Sequence, residues 1–287
     1  MTTPGETGTL ASALASLAEV EFRMGDWQAA YASAVESVRL AQVTGSGEGA
    51  MHGLSRLALV EAGMGREEAC RRHGEQALAM AARHADDQCM VLTRGALGLL
   101  ELGLGHLDTC ITWLERLGEG TSCAAIWTTD LAEALIRRGD DDRAAETLDA
   151  LSAGPADPLA FPIRRARERC RGLLASDEEF ESHFVRALDC GLHVDEPFER
   201  ARTELCFGQR LRRAGRGAAA EEYLRAALVT FERLGAGPWI SMARGELEKD
   251  GIPLGGAHLS LAPPLDPPPA EVDALPEASA SSARGSS

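Results

Sequence analysis

The chain has 287 residues, a length that fits one large domain or two ordinary ones. Hydrophobic residues make up 45% of it, which is enough for a buried core and excludes a wholly disordered chain. The net charge of −15 disfavours general attraction to nucleic acid or anionic lipid. Aromatic residues are only 5%, and the apolar residues are mostly Ala and Leu, so the composition predicts an all-α fold.

Five glycines recur along the chain in matching surroundings: Gly25, Gly65, Gly105, Gly139 and Gly215. A small residue stands seven positions before each glycine, another stands five positions after it, and a large apolar residue precedes the first small one. The small residues before the glycines are Ala18, Ala58, Gly98, Ala132 and Gly208. Those after the glycines are Ala30, Cys70, Cys110, Ala144 and Ala220, and the large residues are Leu17, Leu57, Leu97, Leu131 and Phe207.

This recurrence predicts helical hairpins. The glycine ends the first helix in a left-handed cap, and polar residues such as Asp26 and Asp140 start the second. The small residues let the two helices approach closely, while the large residue fills the gap beside them. A single hairpin cannot cover its apolar face, so successive hairpins are expected to stack into a right-handed α-solenoid.

In chain order, the pattern predicts six hairpins and a closing helix, at 9–44, 46–84, 86–118, 122–152, 159–192, 196–235 and 238–250. The fifth hairpin departs from the pattern, because Ser176 replaces the turn glycine and Arg169 and Glu181 occupy the small positions. Residues 1–8 are expected to be disordered. Residues 251–287 hold seven of the thirteen prolines and no aromatic residue, which predicts a disordered Pro/Ala/Ser-rich tail.

The sequence contains no apolar run suited to a membrane span and only a poor match to a signal peptide. No apolar run approaches the length of a membrane span, and no basic residue precedes the apolar stretch 10–20, as a signal peptide would require. The seven cysteines form no Cys-x-x-Cys pair, which fits a reducing compartment. These features predict a cytoplasmic protein without membrane contact.

Residues with chemical potential have simpler structural interpretations. Cys70, Cys110 and Cys170 lie at small or apolar positions, so we expect them in the core. Cys190 and His193, with Cys170 and His183, provide only one closely spaced ligand pair, which is weak for zinc. The acidic run 140–142 opens a helix, where capping explains it. The glycines at 45–49 lack the Lys-Ser/Thr of a nucleotide-binding loop.

No catalytic residue, metal or cofactor is therefore predicted. An arginine-rich run is interpreted as solvated helix flanks, with a patch for an acidic partner as the alternative. The run is Arg164, Arg165, Arg167, Arg169 and Arg171. Four tryptophans are interpreted as packing residues: Trp27, Trp113, Trp127 and Trp239.

The order of a Leu-Gly/Ala pair, a turn glycine and a later small residue resembles the tetratricopeptide repeat, although most units here run nearer to 40 residues than to 34. A more specific likeness lies in the run from Glu196 to Trp239, which resembles the last repeat of the LuxR-family regulators that are MalT-like. That resemblance implies a sensor region that follows an NTPase and precedes a DNA-binding helix-turn-helix.

Two parts of that family pattern have no counterpart here. The chain has no nucleotide-binding loop, and the Pro/Ala/Ser-rich tail stands where the helix-turn-helix is expected. We therefore expect no direct nucleic-acid binding by this chain. A truncated or frameshifted regulator and a genuine short relative both fit this departure.

The leading hypothesis is a non-catalytic sensor scaffold that binds a protein, peptide or small inducer on its concave face. The residues expected to face inward from the first helices are His52, Ser55, Leu59, Leu99, Thr129, Glu133, Arg202 and Gln209. A stand-alone adaptor between two proteins is the alternative, and an enzyme with an unrecognised site is a third hypothesis. Self-association is also open, because the first hairpin has no obvious polar cap.

Overall fold

The computed structural model describes residues 4–117, 124–152, 161–190 and 196–249. Thirteen α-helices and no strand occur in these ranges. The helices are α1 (Pro4–Met24), α2 (Trp27–Thr44), α3 (Gly47–Met64), α4 (Glu67–His84), α5 (Asp87–Leu104), α6 (Leu107–Leu114), α7 (Ala124–Arg138), α8 (Asp141–Ser152), α9 (Phe161–Leu174), α10 (Phe180–Asp189), α11 (Pro197–Arg213), α12 (Gly217–Leu234) and α13 (Gly237–Lys249).

Consecutive helices pack in pairs, from α1 with α2 to α11 with α12, and α13 follows as a single helix. The predicted all-α fold of successive helical hairpins is therefore confirmed for the described residues. α1 begins at Pro4, within the segment 1–8 that the sequence suggests is disordered, because proline suits the first turn of a helix. The predicted tail 251–287 lies outside the described residues.

The recurrent glycines end the first helices as expected, and all five have a positive φ. At Gly65 φ is +75°, and the next amide, of Arg66, donates to the Glu61 carbonyl at 2.9 Å. This is the 6→1 hydrogen bond of a left-handed helix cap, in which a Cβ would be costly. In the fifth hairpin Ser176 takes this place, and a longer link joins α9 to α10.

The small residues around the glycines are buried and allow close helix packing, as predicted. At Gly208, for example, an added Cβ would stand 2.6 Å from the Leu224 side chain in the partner helix. Leu17 is the exception among the large residues, because its side chain is 45% exposed. The prediction that Leu17 fills an interhelical gap is wrong: α1 is the first helix, and no described helix covers this face of it.

The first helices of successive hairpins pack against one another along the inner side of the stack, from α1 through α3, α5, α7 and α9 to α11. The stack then closes on itself, since α11 also contacts α1, and α13 contacts α3 and α5. Trp239 of α13 lies against α5, where a Cβ on Gly103 would stand 2.7 Å from its ring. The chain's own last helices therefore lie against the inner side at α1, α3 and α5.

Phe198 is at the centre of this closure. Its ring centroid lies 5.1 Å from that of Trp27 and 6.1 Å from that of Phe22, both in the first hairpin. It lies 4.9 Å from the ring of Trp239 and 6.1 Å from that of Phe231, both near the C-terminal end of the described chain. These edge-to-face contacts join the two ends of the stack within one apolar cluster.

Truncating Phe198 tests this aromatic junction. We expect Phe198→Ala to lower the free energy of unfolding by about 3–5 kcal/mol, because it leaves a cavity between the first and last hairpins. Urea denaturation followed by circular dichroism measures the change. Val229→Ala is the control, since Val229 is 50% exposed; equal effects of the two substitutions would contradict the assignment.

Candidate functional site

The inner side of the stack holds five charged residues that we call the inner ion cluster. They are Asp130 and Glu133 of α7, Arg169 of α9, and Glu199 and Arg202 of α11. Both arginines and the two α7 carboxylates are almost fully buried. The cluster therefore connects three hairpins through charges that are removed from solvent.

Arg202 makes the closest contacts in the cluster. Its Nη2 lies 2.6 Å from Asp130 Oδ1 and 2.8 Å from Glu133 Oε2, and its Nη1 lies 2.9 Å from Glu199 Oε1. Arg169 reaches Glu199 Oε2 at 2.9 Å through Nη1 and Glu133 Oε2 at 3.3 Å through Nε. Arg137, which also pairs with Glu133, brings the formal charge of the group to zero.

The three carboxylates of the cluster differ in the direction of their net pKa shift. Burial raises the pKa of Asp130 to about 6, and the charges of Glu199 and Glu133 act in the same direction against the opposing effect of Arg202. Burial also opposes ionisation of Glu133, but Arg137, Arg202 and Arg169 lower its pKa to about 2. At Glu199 the charges of Arg202 and Arg169 likewise overcome burial and lower the pKa to about 2.

This geometry is that of a structural joint. General acid–base chemistry needs a proton acceptor within reach of a substrate, whereas four of the five cluster side chains are almost fully buried and Glu199 is 18% exposed. Paired buried charges contribute little net stability, but removal of one partner leaves an uncompensated charge in the interior. The cluster therefore favours the single arrangement in which α7, α9 and α11 meet.

The arginine-rich run of α9 differs from its predicted role. Arg164 is exposed, but Arg169 is fully buried, and Arg165 is buried beside Glu196 with its Nη1 3.5 Å from Oε2. The interpretation of the run as solvated helix flanks is thus wrong for Arg165 and Arg169. Carboxylates on α7 and α11, distant in sequence, supply partners that the local pattern of α9 did not reveal.

Most of the eight residues predicted to face inward do lie in the interior. Ser55, Leu59, Leu99, Thr129, Glu133 and Arg202 are buried, whereas His52 and Gln209 are partly exposed. Ser55 accepts a hydrogen bond from Thr93 at 2.9 Å, and His52 Nε2 lies 3.0 Å from Asp86 Oδ2. The structure brings Glu133 and Arg202 together but does not gather the eight residues into one surface. Ligand binding by them stays a prediction.

An open cleft lies beside the inner ion cluster, where α13 faces α7 and α11. Its volume is about 340 Å³, within the lower range of small-molecule sites. The cleft is lined by Arg137, Gln209, Ser241, Met242, Gly245, Glu246 and Lys249. Gln209 is the one residue that the sequence analysis also named, while the α13 residues were missed because their position depends on closure of the stack.

Two cationic side chains line the cleft, and each pairs with a carboxylate: Arg137 with Glu133 and Lys249 with Glu246. Arg137 Nη1 has only two contacts of 3.5 Å, with the Leu102 carbonyl and the Met242 sulfur. Lys249 and Gln209 donate to Glu246 Oε1 at 3.0 and 3.4 Å, and Arg212 pairs with the other carboxylate oxygen. This arrangement can hold an anionic group through Arg137, Lys249 and the neutral donors.

Buried carboxylates four residues before the turn glycines are a feature that the sequence analysis did not identify. Glu61 Oε2 lies 2.8 Å from His73 Nδ1, and both side chains are fully buried. Glu101 Oε1 lies 2.7 Å from Arg71 Nη2, and Glu101 Oε2 lies 2.9 Å from His106 Nδ1. Burial raises the pKa of Glu61 despite the pairing with His73. The repeat of Glu at this position before Gly65 and Gly105 was the sequence signal that could have indicated these buried pairs. The pairs connect α4 and the α5–α6 turn to the inner helices.

Cysteine and tryptophan side chains serve in packing, as the sequence predicts. Cys70, Cys110 and Cys170 are fully buried, and Cys170 Sγ lies 3.4 Å from the Thr129 carbonyl. Three tryptophans are buried, and Trp113 packs against the core while partly exposed. Among the described residues, no three His, Cys, Asp or Glu side chains converge so as to hold a metal ion; His193 lies outside them.

The chain matches no known protein family, and comparison with curated proteins likewise finds no match. Within the described residues, no helix combines the length and apolar composition that a membrane crossing requires. The function must therefore be argued from the closure, the inner ion cluster and the cleft.

Neutralising one arginine tests the inner ion cluster. We expect Arg202→Met to lower the free energy of unfolding by about 3–5 kcal/mol, because three carboxylates lose a shared buried partner. Arg143→Met is the matched control: Arg143 pairs with Glu115 at a side-chain exposure of 49%, and such surface pairs contribute at most about 1 kcal/mol. Similar unfolding midpoints in urea for the two variants would show that the cluster is not tightly coupled.

The raised pKa of Asp130 predicts a pH dependence. Between its ordinary value of 3.8 and about 6 the folded protein binds more protons than the unfolded chain, so the Asp130 contribution is present at low pH and lost as pH rises through 6. The stability of wild type relative to Asp130→Asn should fall across this window by roughly 1–3 kcal/mol. Urea titrations at a series of pH values measure the difference, and parallel profiles would refute the shift.

Proposed function

We propose that this protein is a non-catalytic sensor scaffold of the tetratricopeptide-repeat type, whose ligand is a small molecule with a carboxylate or similar anionic group. The observation that carries the proposal is the position of the cleft. It is formed between α7, in the middle of the chain, and α11 and α13, at the end of the described residues. A molecule bound there contacts both sides of the closure.

The repeat assignment is supported by the register of the hairpins. Each turn glycine of the pattern has a positive φ, and small residues at matched positions are buried where paired helices approach. These features agree with the order of residues that resembles the tetratricopeptide repeat. Proteins built in this way commonly use their extended surfaces for binding, which favours a recognition role over catalysis.

A regulatory role is suggested by residues 196–239, which resemble the last repeat of MalT-like LuxR-family regulators. In this chain that stretch forms α11, α12 and the start of α13, and it contributes Gln209 to the cleft and Phe198 and Trp239 to the closure. Helices that make the long-range contacts of the fold are suited to report ligand binding, because they can have two arrangements. A DNA-binding partner or domain would receive that signal.

The anionic ligand follows from the charges and dimensions of the cleft. Arg137 and Lys249 supply cationic donors, and Gln209 and Ser241 supply neutral ones. The cleft volume fits a small molecule better than a peptide lying along the inner face, since α13 lies across that face at α3 and α5. The small inducer is therefore the favoured member of the partner classes that the sequence suggested.

Ligand binding would act by a shift of population between closed and open stacks. A ligand held by Arg137 of α7 and Lys249 of α13 is bound fully only in the closed state, so it stabilises that state by its differential affinity. By linkage, any partner that binds the open state would weaken ligand binding by the same factor by which the ligand weakens binding of that partner. The inner ion cluster lies next to Arg137 and would separate together with the closure.

The substitution Gly245→Leu tests the cleft without removing a charge. A Cβ on Gly245 meets no atom within 4 Å, so a leucine can extend into the cleft and also favours the helix by roughly 0.5–1 kcal/mol. Gly217→Leu is the matched control, because Gly217 has the same open surroundings but does not line the cleft. We expect small carboxylates, with the dicarboxylate succinate and the tricarboxylate citrate among them, to bind wild type and Gly217→Leu.

Binding is measured by calorimetric titration and by the rise in thermal midpoint, with succinamide as the uncharged control ligand. The expected result is that at least one carboxylate binds, that succinamide does not, and that Gly245→Leu loses at least tenfold in affinity. Failure of every acid in the panel to bind would overturn the proposed ligand class. Equal binding to Gly245→Leu would place the site elsewhere.

A further inference from the structure

The first helix presents an apolar face to solvent. Leu10, Leu17, Val20 and Met24 of α1 are each between 45% and 56% exposed. Elsewhere in the described chain the large exposed apolar residues are dispersed, as at Val185 and Val229. Isolated exposed apolar residues are ordinary, whereas a contiguous group on one helix indicates an interaction surface.

The spacing of this face is that of a coiled-coil seam. Leu10, Ala13, Leu17, Val20 and Met24 follow one another at alternating intervals of three and four residues, and Ala13 is exposed as well. This heptad spacing keeps all five side chains on one side of α1 and provides the knobs and holes through which helices pair. We call this surface the α1 seam.

Equivalent positions in the next hairpin are covered by protein. Counting from the turn glycines, Ala50, Leu57 and Val60 of α3 correspond to Leu10, Leu17 and Val20, and all three are buried. Gly53 corresponds to Ala13 and packs on α2 of the preceding hairpin, where its Cβ would stand 2.8 Å from the Val38 side chain. The α1 seam thus continues the surface by which one hairpin stacks on another.

The near absence of exposed charge on the described side chains of α1 makes this helix the face at which a second copy of the acidic chain can dock. Between Thr9 and Met24, the only exposed charged residue of α1 is Arg23, which pairs with Glu19 at 3.1 Å. With a net charge of −15, two copies repel each other over most of their surface. The α1 seam lets them meet without bringing exposed acidic side chains of this helix together. A two-fold pairing also needs just this one surface, which each copy possesses.

We propose that the protein forms a symmetric homodimer in which the α1 seams of two copies pack against each other. The seam extends over about 21 Å of helix, at 1.5 Å per residue. A helix pair of that length lies at the small end of stable interfaces, so the dimer dissociates on the order of micromolar concentrations. The dimer forms through the α1 seam, which is separate from the cleft.

Sedimentation equilibrium of the full chain, from about 1 to 200 μM, tests the dimer. Wild type should change from monomer to dimer across this range. Leu17→Glu should raise the dissociation constant at least tenfold, because it places a charge at the middle of the seam. Val229→Glu is the matched control, since Val229 is exposed to a similar extent on α12, and it should leave the dissociation constant unchanged.

Leu17→Glu is expected to keep the wild-type helical circular dichroism, because Leu17 is exposed in the monomer. A monomer at every concentration, or a dimer that Leu17→Glu and Val229→Glu affect equally, would overturn the proposal. Hydrogen exchange of α1 distinguishes another occupant: protection of its seam in monomeric protein would show that a further segment of the chain covers it, which also contradicts the dimer. The carboxylate titration uses Gly245, so the two proposals fail independently.

Discussion

The packing of Phe198 between the rings of Trp27 and Trp239 is the contact on which the rest of the structure depends. It brings the last hairpin into contact with the first, while the α1 seam at the end of the stack stays exposed. Burial among α7, α9 and α11 raises the pKa of Asp130, and Arg202 is the buried partner of the carboxylates around it. The cleft exists because α13 closes against α7 without filling the space beside Arg137.

Both apolar and ionic contacts stabilise the closed stack. The aromatic rings and the chain's many buried alanines and leucines supply most of the favourable free energy, since removal of apolar surface from water is the main force that drives folding. The inner ion cluster adds directional contacts, such as the 2.8 Å approach of Arg202 to Glu133, that are satisfied in one arrangement of the helices. The inner ion cluster is stable when all its partners are in place, and it is destabilised when one charged residue moves and leaves another unpaired. This property suits a protein that responds to a ligand in the neighbouring cleft.

The sequence predicts those parts of the fold that are local in the chain. The turn at Gly65 and the close approach at Gly208 follow from residues a few positions apart, so a repeating pattern reveals them. Closure depends on the small rotation added by each hairpin, which no single residue specifies. Glu133 and Arg202 were both placed on the inner side from the repeat register, yet their pairing across 69 residues was hidden, and with it the cleft on α13. Arg169 stood out only as a departure from the small-residue pattern, although it is fully buried against carboxylates of α7 and α11.

The most direct measurement of the closure is the nuclear Overhauser effect between residues at the two ends of the stack. In protein labelled at Trp, Phe and Gly in a deuterated background, the closed stack predicts cross-peaks from the Trp239 ring to the Gly103 α-protons and from the Phe198 ring to that of Trp27. The Trp239–Phe198 cross-peak, between neighbouring helices at one end of the stack, serves as the internal reference. Observation of all three supports the closed stack, whereas the reference peak without the two long-range peaks would show an open solenoid and contradict this account.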